Sequence, residues 1–411
     1  MPWSSAACTV RSEASPRCRE PEYAQLIGMQ PSPTAPTPSA PAPIVLRSTW
    51  SNPPAVPASV LRSSGCPVIF GPGGPQRNLC SPDRRVRPVR ISLLTMTTDV
   101  WMPFEETEVE GLPAAAEAGL TYRFWDGGPE LPADPADCAL YVVPYMKSAD
   151  VVLPPLAEMT SLRVVQTLTA GVDFLEPALA SLPPGVQVCN ARGVHDASTA
   201  ELALTLILAS LRGVPRFVEG QRTERWHSGF YPALADKSVL LVGYGAIGTA
   251  IEDRLAPFEC ARVARVARSE RTTERGTVHA LDALPRLLPE ADVVVLCTPL
   301  TDATRSLVNA GFLARMKDGA LLVNVARGPV VDTKALLAEL ESGRLTAALD
   351  VTDPEPLPAG HPLWQAPGVL ISPHVGGSSS AYLPRARRLL AAQLRRYASG
   401  APLDNVVLTT S

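Results

Sequence analysis

Short apolar runs alternate with helical stretches along the chain from about residue 96 onward. Each run holds three to seven mostly aliphatic residues, the length of a strand buried on both faces. A repeated order of strand and helix is typical of βαβ units, in which helices cover parallel sheets. We therefore predict an α/β fold whose strands include Val100–Phe104, Ala139–Pro144, Arg163–Thr167, Val239–Val242, Ala291–Cys297, Ala320–Val325 and Val369–Ile371.

The most apolar helical stretch follows Ser198-Thr-Ala-Glu201, which has the pattern of a capping box. This pattern predicts a helix from Ser198 to about Leu211, buried in a core or in a dimer interface. Its apolar part, Leu202–Leu211, is shorter than the roughly 18 residues of a membrane span. We therefore expect that the protein does not cross a membrane.

Residues 1–95 have a different character. The first 90 residues hold 17 of the 43 prolines and show neither helical nor strand periodicity. We predict that residues 1–95 are disordered. Because an orderly pattern begins at Met96, we also hypothesise that Met96 is the true start, after a leader translated in frame. A natural protein whose amino terminus lies well before Met96 would contradict this hypothesis.

Charge and cysteine content narrow the class of protein. The formal net charge is -3 at pH 7, which gives no general attraction for nucleic acid or anionic lipid. The eight cysteines are scattered, with neither metal-ligand spacing nor the density of a disulfide scaffold. We expect reduced thiols, a cytoplasmic enzyme, no metal, and no nucleic-acid or membrane partner.

A glycine-rich turn joins a predicted strand to a predicted helix. The strand Ser238–Val242 runs into Gly243-Tyr-Gly-Ala-Ile-Gly248, and a helical stretch continues from Thr249 to Leu255. Glycines at this spacing alone could be an ordinary turn. The strand before them and the helix after them favour the fingerprint of a dinucleotide site.

Each glycine of the turn has a physical role in that fingerprint. Gly243 permits the tight turn, Gly245 lets the backbone approach a pyrophosphate, and Gly248 lets the helix pack closely on the strand. The amino terminus of the helix attracts the phosphates. The predicted cofactor contacts in this turn are Gly243, Gly245, Ala246, Ile247 and Gly248.

The end of the second strand indicates which nicotinamide cofactor binds. An acidic residue about 20 positions after the turn would hold the ribose 2′-hydroxyl of NAD, but Arg268 and Ser269 stand there. An arginine can instead pair with a 2′-phosphate. We therefore predict an NAD(P) site that favours NADP over NAD, although Arg268 could also be simply solvated.

Three downstream segments offer the groups that oxidation of a hydroxy acid needs: a cation for the carboxylate and a base for the hydroxyl proton. Arg327 follows an apolar strand, Glu355 lies between two prolines after Asp350, and His374 follows the next short strand. Pairing with Glu355 would raise the pKa of His374. Each residue alone could be structural, but their order at successive strand ends favours catalysis.

With these segments, residues 96–411 resemble the D-isomer-specific 2-hydroxyacid dehydrogenase family, which includes phosphoglycerate, glyoxylate and hydroxypyruvate enzymes. The matching segments keep the family's order along the chain. They are Thr169–Asp173, Asn190–Val194, Thr199–Glu201, the glycine turn, Thr298–Thr301 with Thr304, Asn324–Asp332, Asp350–Leu357, and His361–Trp364 before His374.

The resemblance implies a role for each matching residue. Arg327 would bind the substrate carboxylate and carbonyl, His374 would act as acid and base, and Glu355 would orient and tune the histidine. Asp350 would contact the nicotinamide carboxamide. The resemblance places the substrate-carboxylate loop at Ala170, Gly171 and Val172, and further cofactor contacts at Thr298, Pro299, Val325, Ala326, Gly376 and Gly377.

The resemblance also implies the domain organisation and the assembly. It predicts two Rossmann-like, doubly wound parallel-sheet domains: a split substrate domain of residues 96–196 plus 379–411, and an NAD(P)-binding domain of residues 197–378. Family members are usually homodimers joined through the nucleotide-binding domain. Thr352 replaces a common phenylalanine, which affects only local packing.

Two alternative functions stay open. A formate dehydrogenase would need no proton-transfer group and carries glutamine where Glu355 stands, so Glu355 argues against it. A dinucleotide-sensing scaffold, like the family's corepressors, keeps the same three residues. The substrate side chain is not fixed by any motif; loops such as Pro144–Met146 would determine it. The other four histidines, His195, His227, His279 and His361, are predicted to be structural.

Overall fold

The structure is a computed structural model that describes residues 98–411. The predictions of a disordered segment at 1–95 and of a start at Met96 lie outside the described residues. The predicted α/β class with doubly wound parallel sheets is confirmed.

Strands and helices alternate along most of the described part of the chain. Its strands are Thr98–Met102 (β1), Leu120–Phe124 (β2), Cys138–Val142 (β3), Val164–Gln166 (β4), Gln187–Cys189 (β5), Ser238–Val242 (β6), Arg262–Val266 (β7), Arg271–Thr273 (β8), Gly276–His279 (β9), Val293–Leu296 (β10), Leu321–Asn324 (β11), Thr346–Leu349 (β12), Val369–Ile371 (β13) and Val406–Thr409 (β14). Its α-helices are Ala115–Ala118 (α1), Ala149–Val152 (α2), Glu176–Leu179 (α3), Asp196–Leu211 (α4), Val214–Arg222 (α5), Ala246–Leu255 (α6), Leu284–Leu287 (α7), Ala310–Leu313 (α8), Thr333–Glu341 (α9) and Tyr382–Ser399 (α10).

The first sheet has the strand order β14-β5-β4-β3-β1-β2. All its neighbouring strands are parallel except β14, which pairs antiparallel with β5 and brings the last residues of the chain back to this sheet. Helix α10 packs on the same sheet through buried residues such as Ala386 and Leu390. The first and last strands of the described chain, β1 and β14, therefore belong to the same sheet.

The second sheet has the strand order β13-β12-β11-β10-β6-β7-β9-β8. Its strands are parallel except β8, which forms an antiparallel hairpin with β9. The chain order reverses between β6 and β10, and a ligand of such a sheet binds in the crevice outside the carboxyl ends of the strands at that point. The predicted division into 96–196 plus 379–411 and 197–378 stays a prediction.

Both faces of each sheet are covered by apolar side chains. On the second sheet, Leu240 and Val242 face one core while Val239 and Leu241 face the other. Because both faces are buried, these strands read as continuous apolar runs without alternation. This burial explains why the runs were visible in the sequence.

The start of α4 differs from the prediction. The helix begins at Asp196, two residues before the predicted start, and no side chain caps it. The capping box at Ser198 was wrong because Ser198 Oγ donates a hydrogen bond to the His195 carbonyl, 3.1 Å away. Glu201 instead pairs with Arg254 on α6, at 3.2 Å. The sequence pattern marked the helix but not its first residue.

Among residues 98–411, no single helix has the length and hydropathy of a membrane span. Helices α4 and α5 pass that test only when taken together, and they are bent by 65° at their junction.

Candidate active site

The glycine-rich turn connects β6 to α6 as the sequence predicts. Gly243 has φ 106°, and a Cβ there would overlap the backbone nitrogen of Thr298 at the end of β10. A Cβ on Gly248 would lie 2.8 Å from the Gly243 carbonyl oxygen. A Cβ on Gly245 would meet no atom within 4 Å. Two glycines therefore allow tight packing, whereas Gly245 borders open space at the amino terminus of α6.

A buried ion pair behind the turn was not predicted. The Glu252 carboxylate on α6 accepts hydrogen bonds from Arg265 on β7 and from the hydroxyl of Tyr244 in the turn. Arg271 on β8 also donates to the Tyr244 carbonyl, at 2.6 Å. Burial opposes ionisation of Glu252, but these hydrogen bonds outweigh burial and lower its pKa. The carboxylate is therefore engaged in holding the turn against β7.

The predicted cofactor-specificity residues lie just beyond β7. Arg268 and Ser269 are both exposed, and within the described part of the chain Arg268 makes no side-chain hydrogen bond or ion pair. The neighbouring Glu270 is also exposed and lies 3.8 Å from His279. An unpaired guanidinium therefore stands at the position that the sequence analysis predicts for the ribose contact.

Arg327 lies after β11 and reaches toward the first sheet. Its Nε lies 3.3 Å from both carboxylate oxygens of Asp173, and its Nη1 donates to the Ala326 carbonyl at 2.8 Å. A Cβ on Gly171 would overlap the guanidinium, so the predicted substrate loop and the predicted cation are in close contact. Asp173 was missed as a partner, although it is the last residue of the matched segment 169–173.

His374 and Glu355 form the predicted pair. His374 Nδ1 lies 2.5 Å from Glu355 Oε1, which leaves Nε2 for another partner. The hydrogen bond from Glu355 raises the pKa of His374 above its ordinary 6.5, although burial and the charge of Arg327 oppose the rise. Burial opposes ionisation of Glu355, but the bond and charge of His374 outweigh it, so the pKa of Glu355 is lowered.

These two shifts define when the ion pair stabilises the fold. Because the pKa of His374 is raised, its contribution is fully present below 6.5 and is lost as pH rises through the folded-state pKa. Because the pKa of Glu355 is lowered, its contribution is present above 4.5 and is lost as pH falls through the folded-state pKa. Both contributions are therefore fully present at mildly acidic pH, between 4.5 and 6.5.

Asp350 lies at the end of β12 and is 3% exposed. Its carboxylate accepts hydrogen bonds from Ser372 Oγ at 2.6 Å and from the backbone nitrogens of Val375 and Gly376, each at 2.9 Å. A carboxylate has about four acceptor positions. The loop that carries His374 occupies three of these acceptor positions. About one acceptor position is left for the predicted contact with the nicotinamide carboxamide.

One cavity of about 660 Å³ brings many of the predicted residues together. Its size is within the range of small-molecule sites, about 300–1,000 Å³. The predicted residues that line it are Ala170, Gly171, Ile247, Val325, Arg327, Asp350, Glu355, His374, Gly376 and Gly377.

The other predicted residues lie outside the lining of this cavity. Val172 packs into the core of the first sheet, and Thr298 and Ala326 are buried. Arg268, Ser269 and Pro299 are exposed. The remaining ones belong to the glycine turn at Gly243, Gly245, Ala246 and Gly248.

Three aromatic rings in and behind the wall of the cavity were not identified as a group from the sequence. Tyr145 and Tyr382 stack with centroids 4.2 Å apart, and His195 lies 5.6 Å from each. His195 Nε2 lies 2.8 Å from the Leu168 carbonyl oxygen. Residues far apart in sequence form this stack, so no local pattern could have found it.

The residues of the turn and the cavity fit a nicotinamide dinucleotide. Gly245 borders open space at the start of a ten-residue helix, where backbone N–H groups and the helix dipole favour phosphate. The cavity continues from Ile247 to His374 and Arg327, an imidazole that can exchange a proton and a cation. A dinucleotide that lay along this path would bring its reactive ring to those two side chains.

Comparison with known proteins agrees with this geometry. A model of the D-isomer specific 2-hydroxyacid dehydrogenase NAD binding domain matches residues 204–376. The chain is similar to the human protein named glyoxylate reductase/hydroxypyruvate reductase, with 36% identity over 229 residues, 53% of this chain and 69% of that protein. It is also similar to the glyoxylate reductase of Aeropyrum pernix, with 31% identity over 340 residues, 79% and 94% of the two chains.

A solved structure gives the same agreement in three dimensions. It is a D-isomer specific 2-hydroxyacid dehydrogenase from Xanthobacter autotrophicus Py2 in complex with NADPH and MES. The TM-score is 0.63 and the sequence identity is 31%, with 76% of this chain and 98% of that chain covered.

We predict that Glu355→Gln lowers the pKa of His374, because the amide keeps the shape of the side chain but removes its negative charge. NMR titration of the His374 ring protons measures the change. Glu158→Gln, at an exposed position, is the control and should leave the His374 titration as in the wild type. An unchanged titration in Glu355→Gln would contradict the assigned cause.

Proposed function

The chain belongs to the D-isomer specific 2-hydroxyacid dehydrogenase family, and from this premise we propose that Arg327, Glu355 and His374 are its catalytic residues. The protein is an NAD(P)-dependent oxidoreductase that acts on small 2-hydroxy or 2-oxo acids. The observation that carries the proposal is the His374–Glu355 pair in the same cavity as Arg327.

Each of the three side chains would perform one task. When bound, the nicotinamide ring exchanges a hydride with the carbon that carries the oxygen. Arg327 would hold the substrate carboxylate through its guanidinium, and its position over Gly171 would bring that carboxylate to the backbone of the same loop. His374 Nε2 would give a proton to the carbonyl oxygen during reduction, or take it from the hydroxyl during oxidation.

Glu355 would set the state of the histidine. With Nδ1 held by Glu355, the free Nε2 is directed by the same hydrogen bond that stabilises the imidazolium. A raised pKa keeps His374 protonated closer to neutral pH, which favours the acid that reduction requires. We therefore propose that His374 acts as the general acid when a 2-oxo acid is reduced.

The names of the relatives support a small substrate. The human and Aeropyrum pernix proteins are both named for glyoxylate reduction. We propose that glyoxylate and hydroxypyruvate are the preferred substrates of this chain. The test is steady-state reduction of glyoxylate, hydroxypyruvate, pyruvate, phenylpyruvate and 3-phosphohydroxypyruvate, each with NADH and with NADPH. A higher kcat/KM for phenylpyruvate or for the phosphorylated acid would contradict the proposed preference.

The same panel separates the two alternatives when formate oxidation, with NAD and with NADP, is measured as well. A dinucleotide-sensing scaffold would bind cofactor tightly and show negligible rates on every acid. A formate dehydrogenase would oxidise formate, a reaction without a hydroxyl proton for His374 to take. The presence of Glu355 beside His374 favours the proposed hydroxy-acid chemistry over formate oxidation, whereas only the measured turnover separates it from a scaffold.

We predict that His374→Ala lowers kcat by about two to four orders of magnitude, the usual contribution of a general acid or base. Cofactor affinity, measured by fluorescence titration, should persist. His227→Ala removes an imidazole that does not line the cavity and is the matched control. Turnover close to that of the wild type in His374→Ala would refute the catalytic role.

We propose that the cofactor is NADP in preference to NAD. Arg268 is exposed and makes no hydrogen bond or ion pair within residues 98–411, so it is free to pair with a 2′-phosphate. Glu252 is held by Arg265 and Tyr244, so it is not available to accept a bond from a 2′-hydroxyl. The related Xanthobacter structure contains NADPH, which supports the same preference.

We predict that Arg268→Ala weakens NADPH binding by roughly tenfold and leaves NADH binding nearly unchanged, because only NADPH carries the 2′-phosphate. Titration of both cofactors by fluorescence measures the two affinities. Arg286→Ala, an exposed arginine on α7, controls for the loss of one positive charge. Equal losses for both cofactors would count against the phosphate contact.

We propose that the protein is a homodimer. Helix α5 and the loop after it expose Phe217, Val218, Trp226 and Phe230, and the last two are 94% and 108% exposed. A cluster of exposed aromatic side chains is unusual on a monomer and marks an interaction surface. Light scattering should give twice the chain mass, and Trp226→Ala with Phe230→Ala should shift it toward monomer. A monomeric wild type would exclude the dimer.

We propose a cytoplasmic location for the protein. Within residues 98–411 the cysteines Cys138, Cys189, Cys260 and Cys297 are all free, as expected of a reducing compartment. Fractionation of the native host measures this, and recovery from a secreted or membrane fraction would contradict it.

A further inference from the structure

A second cavity lies where the chain passes between the two sheets. Its volume is about 460 Å³, and it shares no lining residue with the candidate active site. The loop after β5 contributes Arg192, α6 contributes Arg254, and α10 contributes Arg385 and Arg388. We name this the arginine cavity. Four guanidiniums from three parts of the fold thus border one space.

The charge of the arginine cavity is not balanced by the protein. Among residues 98–411, only one acidic side chain lines it, Asp196 in the first turn of α4. Outside the lining, Glu201 pairs with Arg254 at 3.2 Å. Two carboxylates therefore stand against four guanidiniums, in a chain whose overall formal charge is -3. The local excess of positive charge is opposite in sign to that of the whole molecule.

Three of the four arginines have no acidic partner in the described part of the chain: Arg192, Arg385 and Arg388. Elsewhere on α10, Arg387 pairs with Glu108 and Arg396 pairs with Asp404. The paired arginines of α10 therefore differ from the two that face the cavity.

The spacing of the unpaired arginines adds to this argument. Arg385 and Arg388 are three residues apart on α10, so they lie on the same face of the helix and repel each other. An anion between them would remove this repulsion. The amino terminus of the sixteen-residue helix α4 also borders the cavity at Asp196 and Ala197, and its backbone N–H groups favour negative charge.

We propose that the arginine cavity binds a small multivalent oxyanion, a phosphate ester or a polycarboxylate, at a site separate from the catalytic cleft. Guanidiniums recognise both groups through paired N–H donors. The volume is sufficient for a metabolite of a few carbon atoms. Because α10 packs on the first sheet and α6 on the second, one bound anion would connect the two layers.

The test is calorimetric titration of the full chain with pyrophosphate and, separately, with citrate, at low and constant ionic strength. Saturating NADPH is present, so that phosphate binding at the glycine turn does not contribute to the heat. NADPH binding is measured first, which keeps a failure of the proposed cofactor distinct from a failure of this site. We expect at least one of the two anions to bind and to raise the Tm.

Arginine variants test whether the anion binds in the arginine cavity. The double variant Arg385→Ala/Arg388→Ala should weaken anion binding by roughly tenfold or more and abolish the rise in Tm, because two guanidiniums, each with its pair of N–H donors, are lost. Arg315→Ala, at an exposed position outside the cavity, should bind as the wild type does. Preference for pyrophosphate or citrate identifies the phosphate or the carboxylate as the natural group.

Three results would overturn the proposal. These are a wild type that binds neither anion, a double variant that binds as tightly as the wild type, and an Arg315→Ala variant that loses as much affinity as the double variant. The last result would indicate diffuse surface charge. Turnover of the double variant without added anion should equal that of the wild type, which verifies that the variant is folded.

Discussion

The position of His374 depends on the buried carboxylate of Asp350. Asp350 directly follows β12, and its carboxylate accepts three hydrogen bonds from the loop that follows β13. The His374 backbone nitrogen also donates to the Asp350 carbonyl at 2.8 Å, and His374 itself has φ 52°, in the left-handed region that side chains rarely adopt. A strained residue persists only where its surroundings fix it. Asp350 supplies part of those surroundings, because it bonds to residues on both sides of His374.

The contact between Arg327 and Asp173 connects the two sheets. Arg327 belongs to the loop after β11 of the second sheet, whereas Asp173 and Gly171 belong to the loop after β4 of the first. The contact therefore holds the cation at the boundary between the layers, and the absence of a Cβ on Gly171 makes room for it. Gly328 lets this loop lie against the Thr352 backbone, since a Cβ there would overlap the Thr352 carbonyl. The Arg327–Asp173 contact and the two glycines thus place Arg327 beside the predicted substrate loop at Gly171.

The sequence was sufficient for the features that are local. Strands of the second sheet are buried on both faces, so their apolar runs were visible. Arg327 and Glu355 lie in matched segments that follow strand ends, and His374 follows the strand that comes after the last matched segment. Their catalytic roles and those of the cofactor contacts stay predictions. The residues Arg327 and Asp173 are 154 positions apart in sequence, and the Tyr145–His195–Tyr382 stack joins three separate segments. Neither contact could therefore be predicted from a local sequence pattern. The start of α4 was misjudged because Ser198 bonds backward to His195 instead of forward to the helix.

The positions of Glu355 and Arg327 determine the electrostatic environment of His374. Glu355 favours the protonated form of His374, while the nearby positive charge of Arg327 disfavours it. A substrate carboxylate bound to Arg327 would offset part of that positive charge and so reduce its opposition to protonation. Binding of an anionic 2-oxo acid would therefore raise the pKa of His374 further, and the proton needed for reduction would be held more firmly when substrate is present. The same coupling works against oxidation, since a hydroxy acid brings the same carboxylate and the base must then be neutral.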